Sequence, residues 1–186
     1  MKRLFILVTM AIGLAMTAVP SHAAQSVTAP LQAGSIFPTF SGRTVTDRPV
    51  TLPGSSMEKP TVLVFSFSRR AGKDARLWNE HLAKDFPDDV SAYGVIQLES
   101  APKIFRRLAV SGIKSSMPVS VQDRTIVLYR NEQLWKQRLA VKDESRAYVV
   151  LLDPSGTIRW INSGTFSQAT YGSLKTKLAT LLQLRQ

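Results

Sequence analysis

Cysteine is absent from all 186 residues of the chain, and histidine occurs only twice. Without a thiol the chain cannot form a disulfide, a thiolate–zinc site, a cysteine nucleophile or a C-x-x-C redox centre. Two histidines are too few for a histidine metal cluster, so no metal site is expected. The sequence also lacks a Walker loop and a G-x-G-x-x-G motif, so no nucleotide cofactor is expected, and we predict no cofactor of any kind.

A hydrophobic content of 44% argues against disorder, and the length suits one domain with its own core. Two cations precede an apolar run over residues 4–18, and Ser21 and Ala23 are small residues placed like those of a signal-peptidase site. This order is typical of a secretory signal, and the run is short for a membrane span. We expect a signal peptide over 1–23, cleavage near Ala23 and a periplasmic or secreted protein. An uncleaved N-terminal anchor is the alternative.

Acidic residues are scarce, because 13 Asp and Glu face 24 Lys and Arg and leave a formal charge of +11. Removal of the first 23 residues, which hold Lys2, Arg3 and no acid, lowers that charge to +9. Such a charge favours a protein partner in the envelope or an anionic lipid surface, and a solvated basic surface is the alternative. No nucleic-acid-binding motif is visible, so no nucleic-acid partner is expected.

Residues 24–33 are small and polar and are predicted to form a flexible leader, with the folded domain over 34–186. Apolar patterning predicts a hairpin at 43–46 and 49–52, strands at 61–67, 92–98, 147–152 and 157–161, and helices over 72–86, after a cap at Ser100 and from Ser167. In the helix over 72–86, Leu77 is predicted to face inward and Asp74 to lie on the polar face. A tight turn is predicted at 153–156. Between 111 and 142 the pattern is ambiguous, with strand propensity at 119–121 and 125–129 and a helical turn at 131–139. The order predicts one α/β domain, a thioredoxin-like three-layer sandwich with an N-terminal hairpin extension.

Three stretches of sequence carry a family resemblance: GSIFPTF from Gly34, TVLVFSFSRRAGKDARLWNEHL from Thr61, and AYVVLLDPSGTIRW from Ala147 with Ser163 and Gly164 after it. The first two resemble secreted thioredoxin-like and peroxiredoxin-like domains. The third resembles the ATP ten family of mitochondrial ATP-synthase assembly factors, and exported cysteine-less bacterial proteins of the YtfJ type share that ending. The resemblance implies a thioredoxin-like fold and a role in assembling a membrane complex.

The resemblance to thioredoxins aligns Arg70 and Lys73 with the two redox cysteines, within one residue. It also places the cis-proline of thioredoxins near Arg146 and Ala147, where this sequence has no proline. Both halves of the redox site are therefore missing. No catalytic residue is predicted, and thiol–disulfide or peroxidase activity is not expected, because it needs a nucleophile that the chain lacks.

Two sets of residues are predicted to bind an anion or a partner. The first is the cluster Arg69, Arg70, Lys73 and Arg76, where a strand gives way to a helix. Cations at a helix N-terminus oppose the helix dipole, so a phosphate, a lipid headgroup or a partner carboxylate would relieve that repulsion. The alternative is a solvated loop with screened charges.

The second set is Arg159 and Trp160, which the family resemblance marks. Either Arg159 contacts an acidic partner and Trp160 anchors an interface, or Trp160 packs and Arg159 points to water. His81 shares an apolar helix face with Trp78, which favours a packing role over that of a base or a metal ligand.

The leading hypothesis is an exported, non-redox thioredoxin-fold protein that acts through protein contacts, as an assembly or chaperone-like factor for a membrane complex. Two alternatives remain open: an anion- or lipid-headgroup-binding module, and a degenerate peroxiredoxin-like enzyme. The latter predicts a deep polar pocket near Arg70 and Lys73.

Overall fold

The structure is a computed structural model that describes residues 29–54 and 57–184. The predicted signal peptide and residues 24–28 of the predicted leader lie outside these residues. Among the described residues, no helix combines the length and the apolar character needed to cross a membrane.

Strands and helices alternate along the described chain, as the sequence predicts for an α/β domain. In chain order the elements are β1 (Phe40–Thr44), β2 (Pro49–Leu52), β3 (Thr61–Ser66), α1 (Arg69–Asp85), β4 (Ser91–Gln97), a 3₁₀ turn (Lys103–Phe105), α2 (Arg106–Ser115), α3 (Val119–Gln122), β5 (Thr125–Leu128), α4 (Glu132–Arg138), β6 (Tyr148–Leu152), β7 (Ile158–Ser163) and α5 (Gln168–Gln183). The predicted thioredoxin-like fold with an N-terminal hairpin is confirmed.

The described strands form one sheet of seven in the order β2-β1-β5-β4-β3-β6-β7. Strands β3, β4 and β5 are parallel, whereas β6 runs antiparallel to β3 and β7 antiparallel to β6. The C-terminal ends of β3, β4 and β5 therefore meet the start of β6 at one edge of the sheet. We call this the carboxyl edge; Ser66, Gln97, Leu128 and Tyr148 mark it.

Strand β3 is buried along its whole length because helices cover both faces of the sheet. Leu63 and Phe65 point into an aromatic cluster that includes Trp135 of α4. Val62 and Val64 point the other way, into a second cluster with α1 and α5. The unbroken apolar run from residue 61 thus reflects a central strand in a three-layer domain.

Helix α1 begins at Arg69, three residues earlier than predicted, because Ser68 caps it. Its buried residues Ala71, Ala75, Trp78 and Leu82 recur at helical spacing. The prediction that Leu77 faces inward is wrong. Its side chain is 44% exposed, because Leu77 lies beside the line of buried residues on the helix surface.

Two further predictions for the segment between β4 and β5 are wrong. Residues 119–121 belong to helix α3 and not to a strand, because the buried Gln122 amide donates to the carbonyls of Lys114 and Met117 and closes a helical turn. Ser100 does not cap the following helix, which begins after Pro102; its N–H donates instead to the Glu132 carboxylate.

Candidate functional site

The N-terminus of α1 lies at the carboxyl edge, where open α/β sheets commonly bind ligands. Ser68 caps the helix: its Oγ accepts the Ala71 N–H at 3.1 Å and donates to the Glu144 carbonyl at 2.6 Å. The cap fixes the start of α1 against the loop before β6. This is also the place to which the resemblance to thioredoxins assigns the redox centre.

The four predicted cations Arg69, Arg70, Lys73 and Arg76 form one exposed surface, which we call the α1 cation stripe. Arg69, Lys73 and Arg76 recur at i, i+4 and i+7 and lie opposite the buried stripe of the helix. Within residues 29–54 and 57–184 none of the four makes an ion pair or side-chain hydrogen bond. The first turn of α1 holds no acid that could offset the positive charge of these side chains. The positive end of the helix dipole adds to that charge.

Asp74, also on α1, connects the helix to two other segments of the chain through hydrogen bonds. One carboxylate oxygen accepts the Ala147 N–H at 3.1 Å and the other accepts the Phe166 N–H at 2.6 Å. The side chain therefore ties α1 to the start of β6 and to the segment before α5. It forms no ion pair with the neighbouring cations.

A charge network centred on the largely buried Lys136 also lies at the carboxyl edge. Lys136 Nζ, whose side chain is 15% exposed, lies 2.7 Å from a carboxylate oxygen of Glu132 and 2.7 Å from one of Glu144. Glu132 also accepts the Ser100 N–H at 3.1 Å, and its own N–H donates to the Glu99 carboxylate at 2.6 Å. Glu132 thus joins the loop after β4 to α4, and the Lys136 ammonium group joins α4 to the loop before β6.

The network sets the protonation of its members. Burial opposes the charge on Glu132, but hydrogen bonds from Lys136 and from Ser100 outweigh it and hold the pKa of Glu132 below its ordinary value. Burial likewise opposes the charge on Lys136, yet its bonds to the two carboxylates raise its pKa above the ordinary value. Both groups are therefore charged at neutral pH, and neither is poised to exchange a proton.

Arg159 and Trp160 lie away from the α1 cation stripe, toward the sheet edge opposite the carboxyl edge. Arg159 Nε donates to the buried Asp153 carboxylate at 2.7 Å. Trp160 is half-buried and packs against Trp78, with ring centroids 6.2 Å apart. The structure thus brings four of the six predicted residues together and gives the other two local contacts.

Asp153 begins the tight turn that the sequence predicts, and Gly156 closes it with a φ of +80°. Burial alone would raise the pKa of Asp153, but bonds from Ser155, Arg159 and the Thr157 N–H hold it below the ordinary value. His81 has a packing environment, as predicted: its ring lies 4.4 Å from that of Phe166, centroid to centroid.

Sequence reasoning missed the three acids that organise the site, Asp74, Glu132 and Glu144. Asp74 was assigned to the polar face of α1, although both its oxygens bind backbone. A Glu followed four residues later by Lys, as in Glu132 and Lys136, is a recognisable helix-pair signal. Nothing local in the sequence indicates that Glu144 joins them from the loop before β6.

The site presents exposed cations beside loops that hydrogen bonds hold in place. The described residues at this site do not form an acid–base pair arranged for catalysis. Within residues 29–54 and 57–184, no group of His, Asp or Glu side chains has the arrangement needed to hold a metal. Two surface pockets, of about 350 and 550 Å³, are lined by other segments and include neither Arg70 nor Lys73. The arrangement is suited to binding an acidic or phosphorylated group at an exposed surface.

The sequence profile described as ATP10 protein matches residues 26–181, most of the chain. The chain belongs to the ATP10 protein family. This confirms the resemblance that the stretch from Ala147 predicted. Among curated proteins the chain has no significant match.

Solved structures resemble this ATP10 family member at the level of the fold. A protein from Chlorobium tepidum, assigned as the thiol:disulfide interchange protein DsbE, is 15% identical, with 82% of this chain and 99% of that chain covered and a TM-score of 0.60. The thioredoxin domain of a Bacteroides vulgatus thiol-disulfide oxidoreductase is 19% identical, with 80% and 99% covered and a TM-score of 0.53. A thiol peroxidase from Chromobacterium violaceum is 11% identical, with 80% and 88% covered and a TM-score of 0.52.

These identities show the thioredoxin-like fold alone, which does not carry a function with it. The names of all three proteins describe thiol chemistry. This ATP10 family member has no cysteine, so it has no thiol with which to perform such chemistry itself.

Proposed function

We propose that the chain is an exported, non-redox member of the ATP10 family that acts through protein contacts. It serves as an assembly or chaperone-like factor for a membrane complex, and it is not an enzyme. The observation that carries this proposal is the α1 cation stripe, an exposed and unpaired surface on a rigid helix at the edge where related folds carry their chemistry.

The carboxyl edge supports a binding role over a catalytic one. Lys136 binds both Glu132 and Glu144, and Asp74 uses both oxygens on backbone N–H groups. These charged groups hold loops in place, and their hydrogen bonds and ion pairs lie within the protein. The outward-facing cations, in contrast, are available to a second molecule.

The chemistry of the stripe favours an acidic partner segment. Guanidinium groups form paired hydrogen bonds with carboxylates, and a helix N-terminus adds favourable dipole energy for an anion. Several exposed cations on one rigid face also steer an acidic partner during association. We therefore expect the partner to present Asp or Glu side chains to Arg70 and its neighbours.

The proposed location follows from the first 23 residues, which have the order of a secretory signal. The family resemblance implies assembly of ATP synthase in mitochondria, and an exported chain would work in a different compartment. We therefore retain the assembly role and leave the membrane complex unnamed.

Affinity capture from an envelope fraction tests the proposal. The wild-type chain should recover a reproducible set of membrane-complex subunits, and the double variant Arg70→Glu, Lys73→Glu should lose them. A matched double variant, Arg124→Glu, Lys177→Glu, reverses two exposed cations elsewhere whose side chains also lack partners among the described residues. It should retain the set.

Recovery of no reproducible subunits, or equal recovery by both double variants, would contradict the proposal. Normal membrane complexes in a deletion strain would count against it as well. Thermal melting with inorganic phosphate at low ionic strength separates the anion-binding alternative. A phosphate-dependent rise in Tm that Arg70→Glu, Lys73→Glu abolishes would favour that alternative.

A further inference from the structure

Helix α2 differs from the other long helices because it contributes no buried residue to either core. Helix α1 buries four residues and α5 buries three. The less exposed side of α2 consists of Ala109, Val110 and Ile113, all only half-buried. The fold therefore uses α2 very little, and its few apolar contacts come from these three residues.

The outward side of α2 and of the preceding 3₁₀ turn exposes large apolar side chains. Ile104 is 82% exposed, Leu108 is 71% exposed and Phe105 is 55% exposed. Ile104 and Leu108 are four residues apart, so they lie on one line along the helix, which Ser111 and Ser115 continue. Soluble domains rarely leave such a contiguous apolar patch without a use for it.

A line of cations runs beside these apolar residues. Lys103, Arg107 and Lys114 are spaced four and seven residues apart, and all are exposed. None makes an ion pair or side-chain hydrogen bond with another described residue. Over residues 100–122 the sequence holds four Lys and Arg and no Asp or Glu. The patch therefore combines apolar anchors with an uncompensated positive flank.

We propose that the 3₁₀ turn and α2 form an interfacial helix that lies on an anionic phospholipid bilayer. Ile104, Phe105 and Leu108 enter the boundary between headgroups and acyl chains, and the flanking cations contact the phosphates. Helices that bind in the plane of a membrane have this composition, with Phe and Leu on one side and Lys and Arg beside them. Anionic lipids attract each such cation near the surface.

A bilayer suits this surface better than a protein groove does. The 3₁₀ turn has three residues and the helix ten, and the apolar line is one side chain wide. A standard protein interface buries far more surface on each partner, around a cluster of anchors. A planar lipid interface matches a short, narrow apolar line at one end of the helix with a cationic line beside it.

This inference deepens the proposed function and rests on it for the envelope location, since it places the factor on the membrane whose complex it would help to assemble. It concerns a different helix from the α1 cation stripe. Lipid binding through α2 and partner capture through α1 can therefore fail independently.

The absence of cysteine allows a direct test in the full chain. A single Ser111→Cys substitution carries an environment-sensitive NBD dye on the outward side of α2, and Lys177→Cys on α5 provides a matched exposed control. The probes are vesicles of phosphatidylglycerol mixed with phosphatidylcholine, and vesicles of phosphatidylcholine alone. Dye at 111 should brighten and shift to the blue with the anionic vesicles only, and dye at 177 should not respond.

Substitutions in the dye-labelled chain test each part of the surface. Ile104→Ser with Leu108→Ser should weaken vesicle binding at least about tenfold, because two apolar anchors are lost. Arg107→Gln with Lys114→Gln should weaken it on the order of tenfold and reduce its salt dependence. The matched pairs Ile36→Ser with Leu184→Ser, and Lys84→Gln with Lys177→Gln, should bind as the parent does. All these side chains are exposed, so Tm should stay unchanged.

Three outcomes would overturn the inference. One is no response of the dye at 111 to anionic vesicles, including the case in which the apolar N-terminal run alone brings the chain to them. Another is unchanged binding after Ile104→Ser with Leu108→Ser. The third is a dye response that grows with protein concentration in the absence of vesicles, which would identify a second copy of the chain as the occupant.

Discussion

Asp74 accepts the backbone N–H of Ala147 at 3.1 Å, across 73 residues of sequence. The resemblance to thioredoxins places their cis-proline near Arg146 and Ala147, and a proline has no N–H to donate. This hydrogen bond therefore exists only because residue 147 is not proline. The bond ties α1, which carries the α1 cation stripe, to the start of β6.

Asp74→Asn should destabilise the domain by about 2–4 kcal/mol, because hydrogen bonds to a charged acceptor contribute about 1.5–3 kcal/mol each. The amide oxygen can retain one of the two N–H bonds, and its NH₂ group would face the other donor. Urea unfolding measures the change. Asp89→Asn is the matched control, since Asp89 is exposed and has no partner among the described residues. Equal stability of the two variants would show that Asp74 does not act as a clamp.

The Glu132–Lys136 pair predicts a flat stability profile over a wide pH range. The pKa of Glu132 is lowered from 4.5, so its contribution is present above pH 4.5 and is lost as pH falls through its folded pKa. The pKa of Lys136 is raised from 10.5, so its contribution is present below pH 10.5 and is lost as pH rises through its folded pKa. Between those values the contribution of the pair to stability should not change.

Glu132→Gln tests this profile. At pH 7 the variant should be less stable by about 2–3 kcal/mol, because Lys136 keeps only Glu144 and the Ser100 N–H loses a charged acceptor. The difference from wild type should shrink as pH falls below 4.5, where the wild-type carboxyl takes up its proton. Urea unfolding from pH 3 to pH 8 measures it. A difference that stays constant with pH would show that the charge on Glu132 contributes nothing.

Two glycines at different distances from their neighbours should respond oppositely to alanine. A Cβ on Gly42 would lie 2.6 Å from Ile126 Cγ2 and 2.7 Å from Leu128 Cδ2, so Gly42→Ala should push β1 from β5 and cost about 1–3 kcal/mol. A Cβ on Gly72, within α1, meets nothing within 4 Å. Gly72→Ala should therefore raise the free energy of unfolding by about 0.5–1 kcal/mol.

Thermal melting of both variants measures this contrast. Gly72 lies between Arg70 and Lys73 in sequence, so Gly72→Ala should also leave partner capture intact while the helix becomes more stable. A drop in Tm for Gly72→Ala would mean that the N-terminal turns of α1 are held less regularly than the Ser68 cap indicates.

The sequence predicts the fold well where the apolar pattern is strong. The run from Thr61 has the two-sided burial of a central strand, and the cap at Ser167 begins α5 as predicted. The carboxyl edge is harder because its contacts join distant residues. Asp74 meets Ala147, and Lys136 meets Glu144, through loops whose path no local pattern encodes.

Helix α2 shows what apolar spacing does not report. Ile104, Phe105 and Leu108 are apolar residues at close spacing, and such residues commonly pack against a core. Spacing reports which residues share a side of a helix, and it does not report what that side contacts. The fold leaves this side outward, and that outcome gives the helix its proposed role.

Gln97 ends β4 at the carboxyl edge, is 4% exposed, and has no protein hydrogen-bond partner for either amide atom. Gln122, 8% exposed, instead donates to two backbone carbonyls. A buried polar group without a partner costs about 1–3 kcal/mol, and a residue of similar shape without polar atoms avoids that cost. Gln97→Met should therefore stabilise the domain by about 1–2 kcal/mol, whereas Gln122→Met should destabilise it by a similar amount.

Urea unfolding of the two variants gives the comparison, since both replace a buried Gln by Met. A loss of stability in Gln97→Met would mean that ordered water satisfies the amide and that the carboxyl edge is wetter than its packing indicates.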